Sequence, residues 1–135
     1  MSTWGKRWRE AGEQGRRESG RRQKAALEKR QRQQAEAVIK AIPGLVRKAM
    51  AKGAEAIRLY GWITYEDVPG DDEDRVDHLA DRLDRESRPL MAGDLAGCAA
   101  IICAWCEAND LECFMVPVRV PMNENEYDLY ARPKP

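Results

Sequence analysis

All four cysteines of this chain fall in one stretch, CAAIICAWCEANDLEC, running from Cys98 to Cys113. Thiols at such spacings support three kinds of chemistry. The spacing Cys98-x₄-Cys103-x₂-Cys106 is that of plant-type iron–sulfur proteins, with Cys113 as a nominal fourth ligand. Such a cluster needs an irregular loop wrapped around the irons. Here the four spacer residues are Ala-Ala-Ile-Ile, the flanks are helix formers, and the fourth cysteine comes too soon. Cys103-Ala-Trp-Cys106 is a C-x-x-C pair, which acts as a redox centre when it opens a helix and free backbone N–H groups lower the thiol pKa. This pair falls two or more turns inside the expected helix, beyond the reach of that effect. A zinc site would need a second pair in register, and the sequence holds none.

Packing is the remaining reading. Leu95, Cys98, Ala99, Ile102 and Cys106 recur at helical spacing as one continuous stripe, with Gly97, Ala100 and Ala104 small enough to let a neighbour approach. Unpaired cysteine behaves as a small hydrophobe and is among the most buried residue types. The segment therefore reads as core, and four unpaired thiols suit a reducing compartment.

The acidic stretch from Glu66 to Glu86 carries ten acids against Arg75, Arg82 and Arg85. Asp74, Asp77, Asp81 and Asp84 step by three and four and form one stripe of a helix, opposite Val76, Leu79 and Leu83. An oxygen-ligand cation site needs carboxylates that converge in a pocket, and the calcium-loop pattern is missing, so the stripe reads as a solvated acidic face. His78, the single histidine, projects away from the apolar stripe with Asp74 and Asp81 one turn to either side. No Ser/His/Asp set can be assembled around it. No phosphate loop, dinucleotide fingerprint or nuclease-like pairing is present either, so no catalytic residue, metal ligand or cofactor is assigned.

The elements that must carry these residues follow from periodicity. Residues 1–20 contain four glycines and almost no aliphatic side chains. Ordering a backbone costs about 1–2 kcal/mol per residue with little here to offset it, so a flexible segment is expected. Trp4 and Trp8 are spaced to share a helix face, either against a partner or, as the favoured expectation, packed back onto the chain's own domain. Residues 21–52 are a strong helix former, polar at first and then apolar on one face at Val38, Ile42, Leu45, Val46 and Ala49. Pro43 is expected to kink or break this helix, and Gly53 to end it. Residues 53–135 form the third segment, a compact acidic domain.

Ile57, Leu59, Gly61 and Ile63 alternate with Arg58, Tyr60, Trp62 and Thr64 as a strand with one aromatic face. A helix to about Glu86 follows, ended by Arg88-Pro89, then a second from Asp94 or Leu95 to Ala108 with Asn109 as a left-handed stop. Leu111–Val120 and Glu126–Ala131 read as a strand pair joined through residues 121–126. Pro117 lies at an edge or bulge, and ARPKP forms an extended tail. The order α–β–α–α–β–β specifies an α+β fold: a small three-stranded, mostly antiparallel sheet with helices on one face, preceded by a long basic helix.

Composition adds a charge separation. The chain sums to zero, yet residues 1–48 hold 14 Lys/Arg against 5 Asp/Glu, and residues 49–135 hold 9 against 18. The longest apolar run, Leu95–Cys106, is short of the roughly twenty residues a membrane span needs. No apolar secretory signal opens the chain, so a cytoplasmic protein is expected. The functional expectation is a non-catalytic adaptor or assembly protein, including self-association or a small accessory or inhibitor role. Its basic arm (Arg16, Arg17, Arg21, Arg22, Lys24, Lys29, Arg30 and Arg32) meets an acidic partner, and Trp4, Trp8, Tyr60 and Trp62 are candidate contact aromatics. Binding of DNA or RNA phosphates by the same arm is the alternative, and a small enzyme with an unrecognised site the third.

Overall fold

The structure is a computed structural model describing residues 3–118 and 126–135. Its elements are α1 (Thr3–Lys52), β1 (Ile57–Tyr60), a 3₁₀ turn (Tyr65–Asp67), α2 (Arg75–Glu86), a second 3₁₀ turn (Ala92–Asp94), α3 (Gly97–Ala108), β2 (Leu111–Val118) and β3 (Glu126–Pro133). This is the α+β order expected from the sequence. The hairpin connection expected at 121–126 lies outside the described residues except for Glu126, which opens β3. The chain divides into two units, Met1–Gln31 and Arg32–Pro135.

The first unit is helix from Thr3 onward, whereas composition alone suggested a flexible segment over residues 1–20. The glycines are outnumbered by good helix formers, and opposite charges recur one turn apart: Lys6 and Glu10, Arg9 and Glu13, Glu13 and Arg17, Glu18 and Arg22. Each such pair supports an exposed helix by about 0.2–0.5 kcal/mol. A helix that is polar all round is a type that survives on such pairs and not on a buried stripe.

In the second unit α1 contributes Ala35 and Ile42 to the core, with Val38, Ile39 and Val46 packed against it. The helix runs through Pro43, where a kink or break is expected, without a break in its assignment. Proline forfeits one backbone hydrogen bond, but its ring is exposed while Ile39, Ile42 and Val46 anchor the turns on either side. Gly53, at φ +67°, ends the helix as expected, with the Ala54 N–H donating to the Ala49 carbonyl at 2.9 Å.

The sheet is antiparallel in the order β1-β3-β2. Cys113 pairs with Ala131 and Met115 with Leu129, putting these four on one face, while Phe114 pairs with Tyr130 on the other. β2 lies at the edge of the sheet, which accommodates Pro117. Leu90 bridges to Cys113 along that edge. β3 continues through Arg132 and Pro133, so part of the expected tail belongs to the sheet.

β1 is shorter than its alternation suggests. Its pairing with β3 shifts between Arg58 and Tyr60, and Trp62 adopts φ +62°. The shift ends the alternation, so Tyr60 does not lie on a common aromatic face with Trp62. The start of α3 also differs, because Asp94 belongs to the preceding 3₁₀ turn. The left-handed residue after α3 is Asp110, at φ +59°, and not Asn109.

Among the described residues the core contains Leu59, Leu79, Leu83, Leu90, Leu129 and Ala131 together with all four cysteines. Ile102 is completely buried. Truncating it to alanine should cost about 2–5 kcal/mol of stability, read as a lowered denaturation midpoint with an unchanged slope.

Candidate functional site

The thiols were the most chemically suggestive residues of the sequence, and the fold places all four in the core. Cys98, Cys103 and Cys106 lie on the buried face of α3 and Cys113 on the facing strand, none disulfide-bonded. Burial and the nearby Asp67 carboxylate push the Cys98 thiol up to about 11. The neighbouring Cys103 and Cys106 thiols, and then burial, raise that of Cys113. The Cys103 thiol points at the Leu90 carbonyl, 3.8 Å away, and at Glu107 Oε1, 3.9 Å away. Cys98 and Cys113, held protonated, are poor nucleophiles, and Cys106, whose thiol the Cys113 hydrogen bond lowers, is kept from solvent by its burial. No group of three or more His, Cys, Asp or Glu among the described residues is disposed to hold a metal ion. Replacing Cys98 by alanine should therefore act as an ordinary small packing defect, about 1 kcal/mol by denaturant titration, with no change in bound metal.

Asp67, only 2% exposed, is the one buried charged side chain among the described residues, and sequence reasoning did not single it out. Its Oδ2 accepts the Thr64 backbone N–H at 2.9 Å and the Thr64 and Tyr60 hydroxyls, each at 3.4 Å. The Ala96 N–H donates to its carbonyl at 2.7 Å, and the Ala99 N–H acts to lower its carboxyl. α3 begins after Ala96, which has no capping side chain, so Asp67 supplies the missing cap from a distance. No signal in the sequence pointed to it, because Asp94 stands directly before the apolar run that begins at Leu95. Burial raises the Asp67 carboxyl above its ordinary value despite these hydrogen bonds. Burial and then the Asp67 charge also hold the Tyr60 hydroxyl protonated well above its usual range. Tyr60, half-buried, thus ties β1 to the Asp67 cluster through its hydroxyl.

Two other carboxylates behave oppositely. Asp94 accepts both Arg88 Nη1 and Nη2, at 2.7 and 2.9 Å, Arg82 Nη2 at 3.1 Å and the Met91 N–H at 2.9 Å. The Arg88 contacts lead in holding its carboxyl low. Arg88 also pairs with Glu86. Asp128 takes the Trp62 N–H at 3.0 Å and Arg58 Nε at 2.9 Å. Burial alone would raise it, and these donors outweigh burial and lower it.

The signs give a pH prediction. Asp94 and Asp128 contribute stability above the ordinary aspartate value of 3.8, lost as pH falls through their lowered values. For Asp67 the folded state binds its proton more tightly, so stability falls as pH rises through its raised value. Urea titrations across pH 3–7, an interval chosen from about the aspartate range upward, should show net loss of stability on acidification. Asp67→Asn should gain stability relative to the parent as pH rises.

His78 Nδ1 sits 2.7 Å from Asp72 Oδ2, while Asp74 and Asp81 stand one turn to either side of it along the helix. Asp74 occupies the N-cap position of α2 without a side-chain cap bond. Asp81 and Asp84 are exposed, and Asp77 is half-buried with its Oδ1 unpaired among the described residues.

The basic residues remain as the candidate surface. Arg16, Arg17, Arg21, Arg22, Lys24, Lys29 and Arg30 are exposed in the first unit, and Arg32 is exposed in the second. At about 100° per residue the seven cations of the first unit encircle the helix. Within the first unit Trp4 and Trp8 are 77% and 82% exposed, and Arg7 stacks on Trp4 at 5.3 Å. Trp62 is exposed as well, its backbone braced by Asp128. No helix among the described residues is long and apolar enough to cross a membrane.

No family model, curated protein or solved structure matches the chain.

Proposed function

We propose that this chain is a non-catalytic assembly protein whose basic N-terminal helix engages an acidic protein surface, with a second copy of the chain as one partner of that kind. The observation that carries the proposal is the exposure of Trp4 and Trp8 one turn apart beside Arg7, on a helix with ten Lys/Arg against four Glu over residues 3–31. Trp and Arg are the residue types most enriched at the energetic centres of protein interfaces. The cations around the cylinder steer an acidic partner and the indoles supply apolar contact area. Residues 49–135, with 9 Lys/Arg against 18 Asp/Glu, offer a surface of the complementary sign on a neighbouring copy.

The encircling cations also suit neutralisation of a nucleic-acid backbone, which needs no single reading face. That second reading makes the indoles base-stacking platforms. Titrating the full chain against polyglutamate, duplex DNA and single-stranded RNA separates the two, alongside its concentration-dependent mass. Protein assembly predicts self-association or polyglutamate binding that weakens in the Trp4→Ala/Trp8→Ala variant. Preferential binding to either nucleic acid replaces the first reading with the second.

A further inference from the structure

A cleft of about 420 Å³ opens beside α2, between that helix, the 68–72 loop and the Gly93–Asp94 turn. It belongs wholly to the second unit and is independent of the N-terminal helix reading. Its helical wall carries Arg75, His78, Arg82 and Arg85, steps of three, four and three that hold the three guanidiniums and the imidazole on one face. The domain around it is acidic, so this concentration of positive side chains runs against the local composition.

The four side chains are not equivalent. Arg75 is a brace: Nε donates to the Tyr65 and Val68 carbonyls at 2.9 and 2.8 Å, Nη1 donates to the Asp72 carbonyl at 3.1 Å, and the guanidinium stacks on Tyr65. It fixes the loop that forms the opposite wall and leaves a positive charge there. Arg82 touches Asp94, but that carboxylate is already gripped bidentately by Arg88. Arg85 has no hydrogen bond or ion pair among the described residues, and His78 is oriented by Asp72 through Nδ1. Gly93 leaves the third wall open, since a Cβ there would meet nothing within 4 Å.

We propose that this cleft binds a small phosphate-bearing ligand, with Arg82 and Arg85 donating to the phosphate oxygens and His78 alongside. Guanidinium forks match oxyanions bidentately, and the cleft volume lies in the range of small-molecule sites. Inorganic phosphate and pyrophosphate are the probes, titrated into the full chain at constant ionic strength and followed by backbone amide NMR, with acetate as the comparison anion. The expected result is saturable perturbation at Gly70, His78 and Gly93 by both phosphates and not by acetate. Affinity should fall at least tenfold in Arg85→Ala, an exposed position, and in Arg82→Gln, while Arg132→Ala, outside the cleft, binds normally. Perturbation confined to residues 16–32, equal response to acetate, no saturation at the cleft, or undiminished binding by Arg85→Ala would each overturn the proposal.

Discussion

Replacing Asp67 with alanine is expected to lower the unfolding free energy by about 3–5 kcal/mol, a large share of the roughly 5–15 kcal/mol that holds a small domain together. The carboxylate gathers the Thr64 N–H, the Thr64 and Tyr60 hydroxyls and the first turn of α3 around one buried point. Removing it strands these donors away from water, at about 1–3 kcal/mol for each fully buried one, and leaves α3 uncapped. The long Tyr60 and Thr64 hydroxyl contacts weaken the effect, which is why the expectation stays below a full sum. Asp67→Asn, which keeps an acceptor oxygen, should lose less than half as much. Denaturant titration of the parent and both variants gives the result. Equal, small losses in both would show that the cluster does not anchor α3.

The second large effect concerns binding. Exchanging Arg16, Arg17, Arg21 and Arg22 for glutamine should weaken partner binding by about 30- to 1000-fold at low salt, if each exposed contact is worth up to about 1 kcal/mol. Stability should hardly move. All four side chains are exposed, glutamine is a comparable helix former, and surface changes of this kind fall within about 0.5 kcal/mol each. Far-ultraviolet circular dichroism checks the helix, and titration against polyglutamate reads the binding. A variant that binds as tightly as the parent would remove the basic face from the account.

The sequence was most legible where periodicity and burial agree. The stripe Cys98, Ala99, Ile102, Cys106 announces a buried helix, and the structure places each of these in the core. The same segment looked like ligand chemistry only when its spacing was read without its apolar filler. Legibility failed where one long-range contact outweighs a local rule. Pro43 breaks an isolated helix, but Ile39, Ile42 and Val46 hold this one through it. Alternation through Ile63 implied a longer β1, but Asp128, seventy residues from Arg58 in sequence, captures both Arg58 and the Trp62 N–H and accompanies the left-handed turn at Trp62.

The candidate surface was only partly legible. The cations could be read directly, because exposed charge needs no tertiary information. The hydrogen-bond partner of Tyr60 could not be read, since its hydroxyl meets Asp67 across a register shift that alternation does not foresee. His78 likewise chose Asp72, from the loop before α2, over the two aspartates that share its helix. The stripe of Arg75, His78, Arg82 and Arg85 runs beside the acidic one at identical spacing. It emerges only when the 68–72 loop and the 93–94 turn close a cleft over it.

The central claim is that this molecule acts by charge-steered association through its N-terminal helix. Sedimentation velocity of the full chain, across concentration and between about 50 mM and 200 mM salt, with and without polyglutamate, tests it most directly. The account predicts a species heavier than the monomer, by self-association or by polyglutamate capture, that dissociates as salt rises and is absent in the Trp4→Ala/Trp8→Ala variant. A sedimentation coefficient that stays monomeric under every condition, or a complex indifferent to both salt and the two tryptophans, would contradict it.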